Sequence, residues 1–388
     1  MRFHHVFRDE HGLASVVVAL SMTVIMGMVA LAVDLGHIHL KRARLQTAAD
    51  TAALAGANSL LAYGRDFTGL RAVIRAYAAR NMDEADQVAV AIQDADIVFL
   101  GNGAPDPDDP DQVEVTITLS RERENPLALH FGGVIGVPVV DLSVTARAGL
   151  VPVCGSKCVK PFVVPTKFEW DDYADPGTKG YGNGELDVES PGELASVNVL
   201  GYDQGDVGTQ IIIKPGDPQL AIAPGQYNLV DLPPVNKGDP VTGADAVREN
   251  IAGCTGSNDT LVEPGDELLL EPGNSAGPVK QGVNDLLGED PYAYWDSSRN
   301  AVEGSVYDDP MDSPRVALMA FYDPRQPPIS GRNSIYVYEL GAFFIEGVDG
   351  QGNVSARFIN AVAVDPDPSG NDDCILRMSR LLMDSSRS

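Results

Sequence analysis

The sequence predicts an α+β protein: an N-terminal transmembrane helix running on into a small α+β domain, followed by a β-rich, sandwich-like C-terminal domain. Three observations predict it. An uninterrupted apolar run spans Leu13 to Val33, an Ala-rich stretch with helical spacing follows it, and beyond residue 150 short apolar runs alternate with Gly/Pro/Asp turns. At 388 residues the chain has room for two or three units, and 44% hydrophobic residues are enough to build their cores. Its 28 Lys+Arg against 55 Asp+Glu give a net charge of −27. That field repels a phosphate backbone, and no Lys/Arg stripe opposes it, so nucleic acid is excluded as a partner.

The Leu13–Val33 run contains no charge, Pro, Asn or Gln, and at ~1.5 Å per residue it reaches about 30 Å, the thickness of a bilayer core. Its polar side chains, Ser15, Ser21 and Thr23, can bond back to their own helix. The rival reading is a cleaved signal peptide. Arg2 and Arg8 precede the run, and Ala30-Leu31-Ala32 offers a small-x-small site before Val33. The run exceeds the usual ~7–15 residues of such a segment, and helix-compatible sequence continues past the site. Either reading exports the rest. Lys41, Arg42 and Arg44 outnumber Arg2 and Arg8, which alone would keep the C-terminal side inside. Long domains translocate largely regardless of charge, however, and an acidic bulk with four cysteines suits the extracytoplasmic side.

After the run, Leu35, Ile38, Leu45, Ala49, Ala52 and Leu60 recur at helical spacing, predicting one helix from 13 to about 62 and a first segment of 1–62. Its small-residue face (Ala48, Ala52, Ala55, Gly56) suits close packing, against the protein's own domain or a second copy. Asp34 ends the run as either a solvated residue or a buried pairing group, and its interfacial place favours the solvated state. His37 and His39, two residues apart, point to different faces and make no metal pair.

Residues 63–150 read as a small α+β remainder. GLRAVIRAYAARN at 69–81 is an amphipathic helix, Gln87–Phe99 and Gln112–Ser120 are strands, and a further strand precedes residue 150. The carboxylates of APDPDDPD at 104–111 could hold Ca²⁺, but the loop lacks EF-hand order and reads as a solvated turn.

Residues 151–388 form the β-rich domain. Its apolar runs are Phe162–Val164, Val197–Leu200, Gln210–Ile213, Leu261–Leu270, Val316–Phe321, Ile335–Tyr338, Ala342–Ile345 and Arg357–Val364, with a helix at Val279–Leu287. All four cysteines (Cys154, Cys158, Cys254, Cys374) lie here. Export favours disulfides over zinc, with Cys154–Cys158 and Cys254–Cys374 as the first guess among three connectivities. Gly273-Asn274-Ser275-Ala276-Gly277 matches a nucleophile elbow between an apolar run and a helix. Such a hydrolase needs a histidine after the serine, and His4, His5, His11, His37, His39 and His130 all precede it. A Pro-Gly-Asn turn explains the residues without catalysis.

Residues 8–57 resemble the N-terminus of TadE/TadG-like proteins of the Flp (tight adherence) pilus system. The resemblance rests on Gly12 opening the apolar run, Val33-Asp34-Leu35-Gly36 closing it, and Arg44-Leu45-Gln46, Ala48-Ala49-Asp50 and Ala52-Ala53-Leu54-Ala55-Gly56-Ala57 following. A second block is similar to the C-terminal region of TadG-type members: Glu271-Pro272-Gly273-Asn274, Gly277-Pro278, Gln281-Gly282-Val283, Asp290-Pro291, Trp295, Ser313-Pro314-Arg315-Val316 and Phe343-Phe344-Ile345-Glu346-Gly347. The resemblance implies a pilin-like small domain and a membrane-anchored envelope protein. Such a protein helps assemble or anchor the pilus without catalysis or cofactor, its partners being other pilus-assembly proteins and membrane lipid. Processed members carry Glu five residues past the scissile Gly, where this chain has Val17, so cleavage after Gly12 is not expected. The metal-binding Asp-x-Ser-x-Ser of von Willebrand-type domains occurs as Asp384, Ser386 and Ser388, without the following elements that would complete coordination. The alternatives are an exported hydrolase using Ser275 and an adhesive module released after Ala32.

Overall fold

The computed structural model describes residues 10–63, 66–82, 92–106, 110–178, 180–216, 226–328, 333–361, 363–364 and 374–382. Helix α1 (Glu10–Tyr63) is a single helix of 54 residues, matching the expected span of 13 to about 62. At ~1.5 Å per residue it is about 80 Å long, far more than a bilayer needs. Within the apolar run the hydroxyls of Ser21 and Thr23 donate to the carbonyls of Val17 (2.8 Å) and Ala19 (2.7 Å), so neither is left unsatisfied. Helix α2 (Phe67–Arg80) follows, its first turn capped by Asp66 Oδ1, which accepts from the Thr68 and Gly69 amides.

The strands, in chain order, begin with β1 (Ile97–Gly101), β2 (Ala104–Pro105), β3 (Gln112–Leu119), β4 (Leu127–Ala128), β5 (Val139–Val140), β6 (Leu142–Pro152) and β7 (Val159–Pro165). They continue as β8 (Phe168–Glu169), β9 (Asn198–Val199), β10 (Gln210–Lys214), β11 (Gln226–Asp231), β12 (Glu267–Pro272), β13 (Tyr294–Asp296) and β14 (Ala301–Glu303). The last are β15 (Val316–Tyr322), β16 (Ser334–Val348), β17 (Val354–Ile359) and β18 (Arg377–Leu381). Among the described residues the further helices are α3 (Pro191–Ser196), α4 (Ala244–Ala252) and α5 (Ala276–Glu289).

The chain divides into two compact units, one of Met1–Gly56, Arg71–Ala148 and Leu381–Ser388, the other of Ala57–Leu70 and Gly149–Arg380. Strands β1, β2 and β3 and residues 142–148 of β6 belong to the first, and the sheet that holds them has the order β18-β6-β3-β1-β2. Strand β3 alternates as its period-two pattern predicts, with Val113, Val115, Ile117 and Leu119 buried. On α1, Leu45, Ala48, Ala49, Ala52 and Ala53 are fully buried as well. The strand expected at Gln87–Phe99 starts only at Ile97, after a 3-10 turn at Asp94–Asp96, and residues 87–91 lie outside the described residues. So do 107–109 of the acidic loop and Asp384, Ser386 and Ser388.

In the second unit, β16 pairs with β15, β15 runs parallel to β7, β7 pairs with β11, β11 with β12, and β12 returns to Ser334–Tyr336 of β16. Five strands therefore close a ring, and β17 and β10 extend it from the C-terminal half of β16. One face gathers Val163, Val230, Leu268, Leu318, Val337 and Phe344 in a common core. The other places Phe162, Leu229, Met319 and Phe343 against Ile251 of α4 and Val283 and Leu286 of α5. Strands buried on both faces read as unbroken apolar runs, which is how these segments appear in the sequence. The β-rich expectation holds, with a helix pair as the layer over one face. Strand β11 and helices α3 and α4 arise in stretches whose Gly and Pro content reads as turns.

The disulfides join Cys154 to Cys374 and Cys158 to Cys254, with Cα separations of 5.2 and 5.0 Å. This corrects the sequence guess of Cys154–Cys158 and Cys254–Cys374. Just before Cys154, the Val153 amide donates to Leu376 O (2.9 Å), which brings the chain beside Cys374. The Cys158 amide donates to Asn258 O (3.0 Å), which brings it against the turn that carries Cys254.

Candidate functional site

In the first unit the motif residues of α1 meet the rest of the fold at two levels. At the end of the apolar run Asp34 is 5% exposed. Its Oδ1 accepts from the His130 amide (2.8 Å) and its Oδ2 from the Phe131 amide (3.1 Å). The solvated reading of Asp34 is therefore corrected: it is a buried acceptor for two backbone amides that no strand pairs, a strong use of a carboxylate. One turn on, the His37 ring lies 4.8 Å from that of His130, while His39 is exposed. Gly36 borders open space, so no contact demands a glycine there.

Farther along α1, the Gln46 amide donates to Asp50 Oδ1 (2.8 Å) and to Thr145 O in β6 (3.2 Å), tying helix to sheet through two family positions. The small-residue face is covered within the unit. A Cβ on Gly56 would sit 2.8 Å from Ile74 Cγ1 and 3.2 Å from Val113 Cγ1, so only glycine allows α2 and the sheet this close. Ala48 and Ala52 are fully buried beside it. The face is occupied by its own domain, which removes it as the surface for a second copy.

In the second unit the C-terminal motif blocks converge on Arg315, which is 4% exposed. Its guanidinium donates to the carbonyls of Ala293 (2.6 Å), Asp290 (3.0 Å), Ile345 (3.1 Å) and Glu346 (3.2 Å), and lies 4.5 Å above the Phe344 ring. Burial pushes the guanidinium's pKa down, and the Asp290 and Glu346 charges oppose that. Asp290 is fully buried and accepts from Ser305 Oγ (2.7 Å) and the Val306 amide (3.0 Å). Burial alone would raise its carboxyl, but hydrogen bonds from Ser313, Val306 and Ser305 and the Arg315 charge hold it below the usual range. Asp290-Pro291, Ser313-Pro314-Arg315 and Phe344-Ile345-Glu346 thus meet at one buried cation.

Asn274 has a comparable role. Its Oδ1 accepts from the ammonium of fully buried Lys214, and its amide donates to Gly216 O (3.2 Å). Gly273 adopts φ 93°, the left-handed turn that ends β12. Ser275 precedes α5 with φ 41° and ψ 32° and makes no capping bond with its side chain, while Gly277 and Pro278 occupy the first turn. The second unit contains no histidine in its sequence, so the Ser275 elbow has no imidazole base there. Among the described residues no three His, Cys, Asp or Glu side chains are grouped to hold a metal ion.

The span candidate is the feature least absorbed by the fold. An α1 stretch within Ser15–Leu61 is long and apolar enough to cross a membrane, with a mean hydropathy of 2.6 and none of that window buried. Residues 15–29 and 31–33 are exposed and only Ala30 is partly covered. Comparison with curated proteins and with solved structures gives no match. A family described as "Putative Flp pilus-assembly TadE/G-like" matches residues 12–59, which include Asp34, Gly36, Gln46, Asp50 and Gly56. The chain therefore carries, over the apolar run and the helix that continues it, a TadE/G-like segment of Flp pilus assembly.

Proposed function

We propose that the protein is a membrane-anchored, non-enzymatic component of Flp pilus assembly or pilus anchoring, with α1 as a single-pass span and both units outside the cytoplasm. The observation that carries this reading is the bare apolar run. From Ser15 to Val29 none of the described residues covers side chains such as Leu20 and Met28, which are 63% and 66% exposed, and lipid is the solvent that suits them. Two disulfides support an oxidising compartment for the second unit. The buried cation at Arg315 and the Lys214–Asn274 pair act as framework, since their donors are consumed by carbonyl and amide groups of the fold. Other pilus-assembly proteins are the partners this family segment favours.

Mass spectrometry of the native N-terminus, after separating membrane, soluble and shed fractions, tests the reading. A membrane-bound protein retaining residues 1–12 supports a permanent anchor. A start at Leu13 makes it a processed pilin-like subunit, and a soluble product starting at Val33 refutes anchoring and favours the released module.

A further inference from the structure

We propose that the loop joining β4 to β5 is a second membrane contact, its apolar tip seated in the bilayer interface beside α1; this rests on α1 being a membrane span. From Phe131 to Pro138 the loop reads FGGVIGVP, with no polar side chain. Val134 is 87% and Ile135 74% exposed, and Phe131 and Val137 are exposed as well. Surface loops are ordinarily polar, and grouped apolar side chains that the fold leaves bare mark a contact with something else.

The position of the loop selects lipid as the occupant. Asp34, which holds the His130 and Phe131 amides, directly follows Val33, the last residue of the apolar run. The base of the loop is fixed at that level from two sides: the His130 and Phe131 amides both bond Asp34, and the His130 ring packs on His37. An element at that level lies where interfacial segments bury their apolar faces, about 5–10 Å into the headgroup–acyl boundary.

The tip is also held in one shape. Leu127 pairs with Val140 and Ala128 with Val139, and the Leu129 amide donates to Pro138 O (2.9 Å). A Cβ on Gly132 would meet Val137 O at 2.2 Å, so the turn closes on itself only with glycine at that position. A rigid apolar tip on one side of a span gives the helix a second fixed point, which sets its tilt and rotation in the bilayer.

The test uses the full chain in phosphatidylethanolamine/phosphatidylglycerol vesicles carrying nitroxide-labelled acyl chains. Single cysteines are introduced as Leu20→Cys, Ile135→Cys and Tyr292→Cys, each labelled with an environment-sensitive fluorophore; the native cysteines are paired. Tyr292 is 73% exposed in the second unit and reports on water. The expected result is quenching at Leu20, at least about half as much at Ile135, as interfacial depth predicts, and none at Tyr292. Quenching at Leu20 with Ile135 as unquenched as Tyr292 overturns the loop contact and leaves the span intact. An unquenched label at Ile135→Cys, together with a disulfide to a second copy formed by the unlabelled variant on oxidation, overturns it equally, in favour of a protein interface. If Leu20 itself is unquenched, the span fails and the loop proposal with it.

Discussion

Replacing Arg315 tests whether the C-terminal motif blocks form a framework. In Arg315→Met the side-chain volume is roughly kept while four donor contacts, to Asp290 O, Ala293 O, Ile345 O and Glu346 O, disappear. Hydrogen bonds from a charged donor contribute about 1.5–3 kcal/mol each, so the gross loss is on the order of 6–12 kcal/mol. Relief from burying the guanidinium offsets several kcal/mol of this, leaving a net loss of about 3–5 kcal/mol, the usual cost of breaking a buried ionic network. Arg315→Lys separates geometry from charge. A lysine keeps the cation but concentrates its donors at one point, so it cannot span carbonyls on two segments, 290–293 and 345–346, and should lose about 2–4 kcal/mol. Both tryptophans, Trp170 and Trp295, belong to the second unit, so intrinsic fluorescence during urea unfolding of the full chain follows that unit alone. A net loss of 3–5 kcal/mol corresponds to a fall in thermal midpoint of about 6–20 °C for a unit of this size. A lysine variant within about 1 kcal/mol of the parent, near the ordinary scatter of surface changes, would falsify the fork argument.

Lys160 is 6% exposed with its ammonium donating to Gly253 O (2.9 Å), and burial pushes its pKa down from 10.5 to about 8. Because the unfolded chain holds that proton more tightly, the penalty is present below pH 8 and is relieved as pH rises toward 10.5; 2.5 units correspond to about 3 kcal/mol. Gly253 O also accepts from Asn258, so Lys160→Met should raise stability at neutral pH and remove the gain across that window; unfolding curves that keep it contradict the assignment. Replacing both Cys158 and Cys254 by Ser should cost about 2–4 kcal/mol, and the Cys154/Cys374 pair about 0.7 kcal/mol more, because 220 rather than 96 residues separate its ends. Non-reducing peptide mapping that recovers Cys154–Cys158 would refute the connectivity. Gly56→Leu should force α1 away from Ile74 and Val113 at a cost of about 1–3 kcal/mol, seen as faster amide exchange in α2; unchanged protection there argues against the close approach.

The long helix, strand β3 and helix α5 were legible because each has a strong local period. What escaped the sequence depends on partners far along the chain. Asp34 meets amides 96 and 97 residues away, and neither amide leaves any mark on side-chain identity. Arg315 is recognisable as a motif position, but its acceptors are carbonyls, which every residue carries. In the sequence, strand β16 reads as two runs, Ile335–Tyr338 and Ala342–Ile345, because Glu339-Leu340-Gly341 looks like a break. It continues because Glu339 accepts the Thr166 hydroxyl and Gly341 leaves room for Phe321, whose ring carbon would lie 2.3 Å from an added Cβ. The disulfide pairing depended in the same way on which turn lies beside β7, a tertiary fact that cysteine spacing does not encode.

The order of the five-stranded sheet has a consequence for biosynthesis. Its edge strand β18 comes from the far end of the described chain, beside Cys374, whose disulfide partner lies 220 residues earlier, and the Leu382 amide donates to Arg147 O at 2.8 Å. A chain threaded across a membrane N-terminus first therefore emerges with β6 open along one side, and that side stays open while the intervening ring of strands is still being delivered. On the extracytoplasmic placement proposed above, export and the last pairing are coupled: a stalled or shortened polypeptide displays an unpaired strand edge beside an unmatched Cys154, two features that chaperones and thiol oxidoreductases of the envelope are suited to detect.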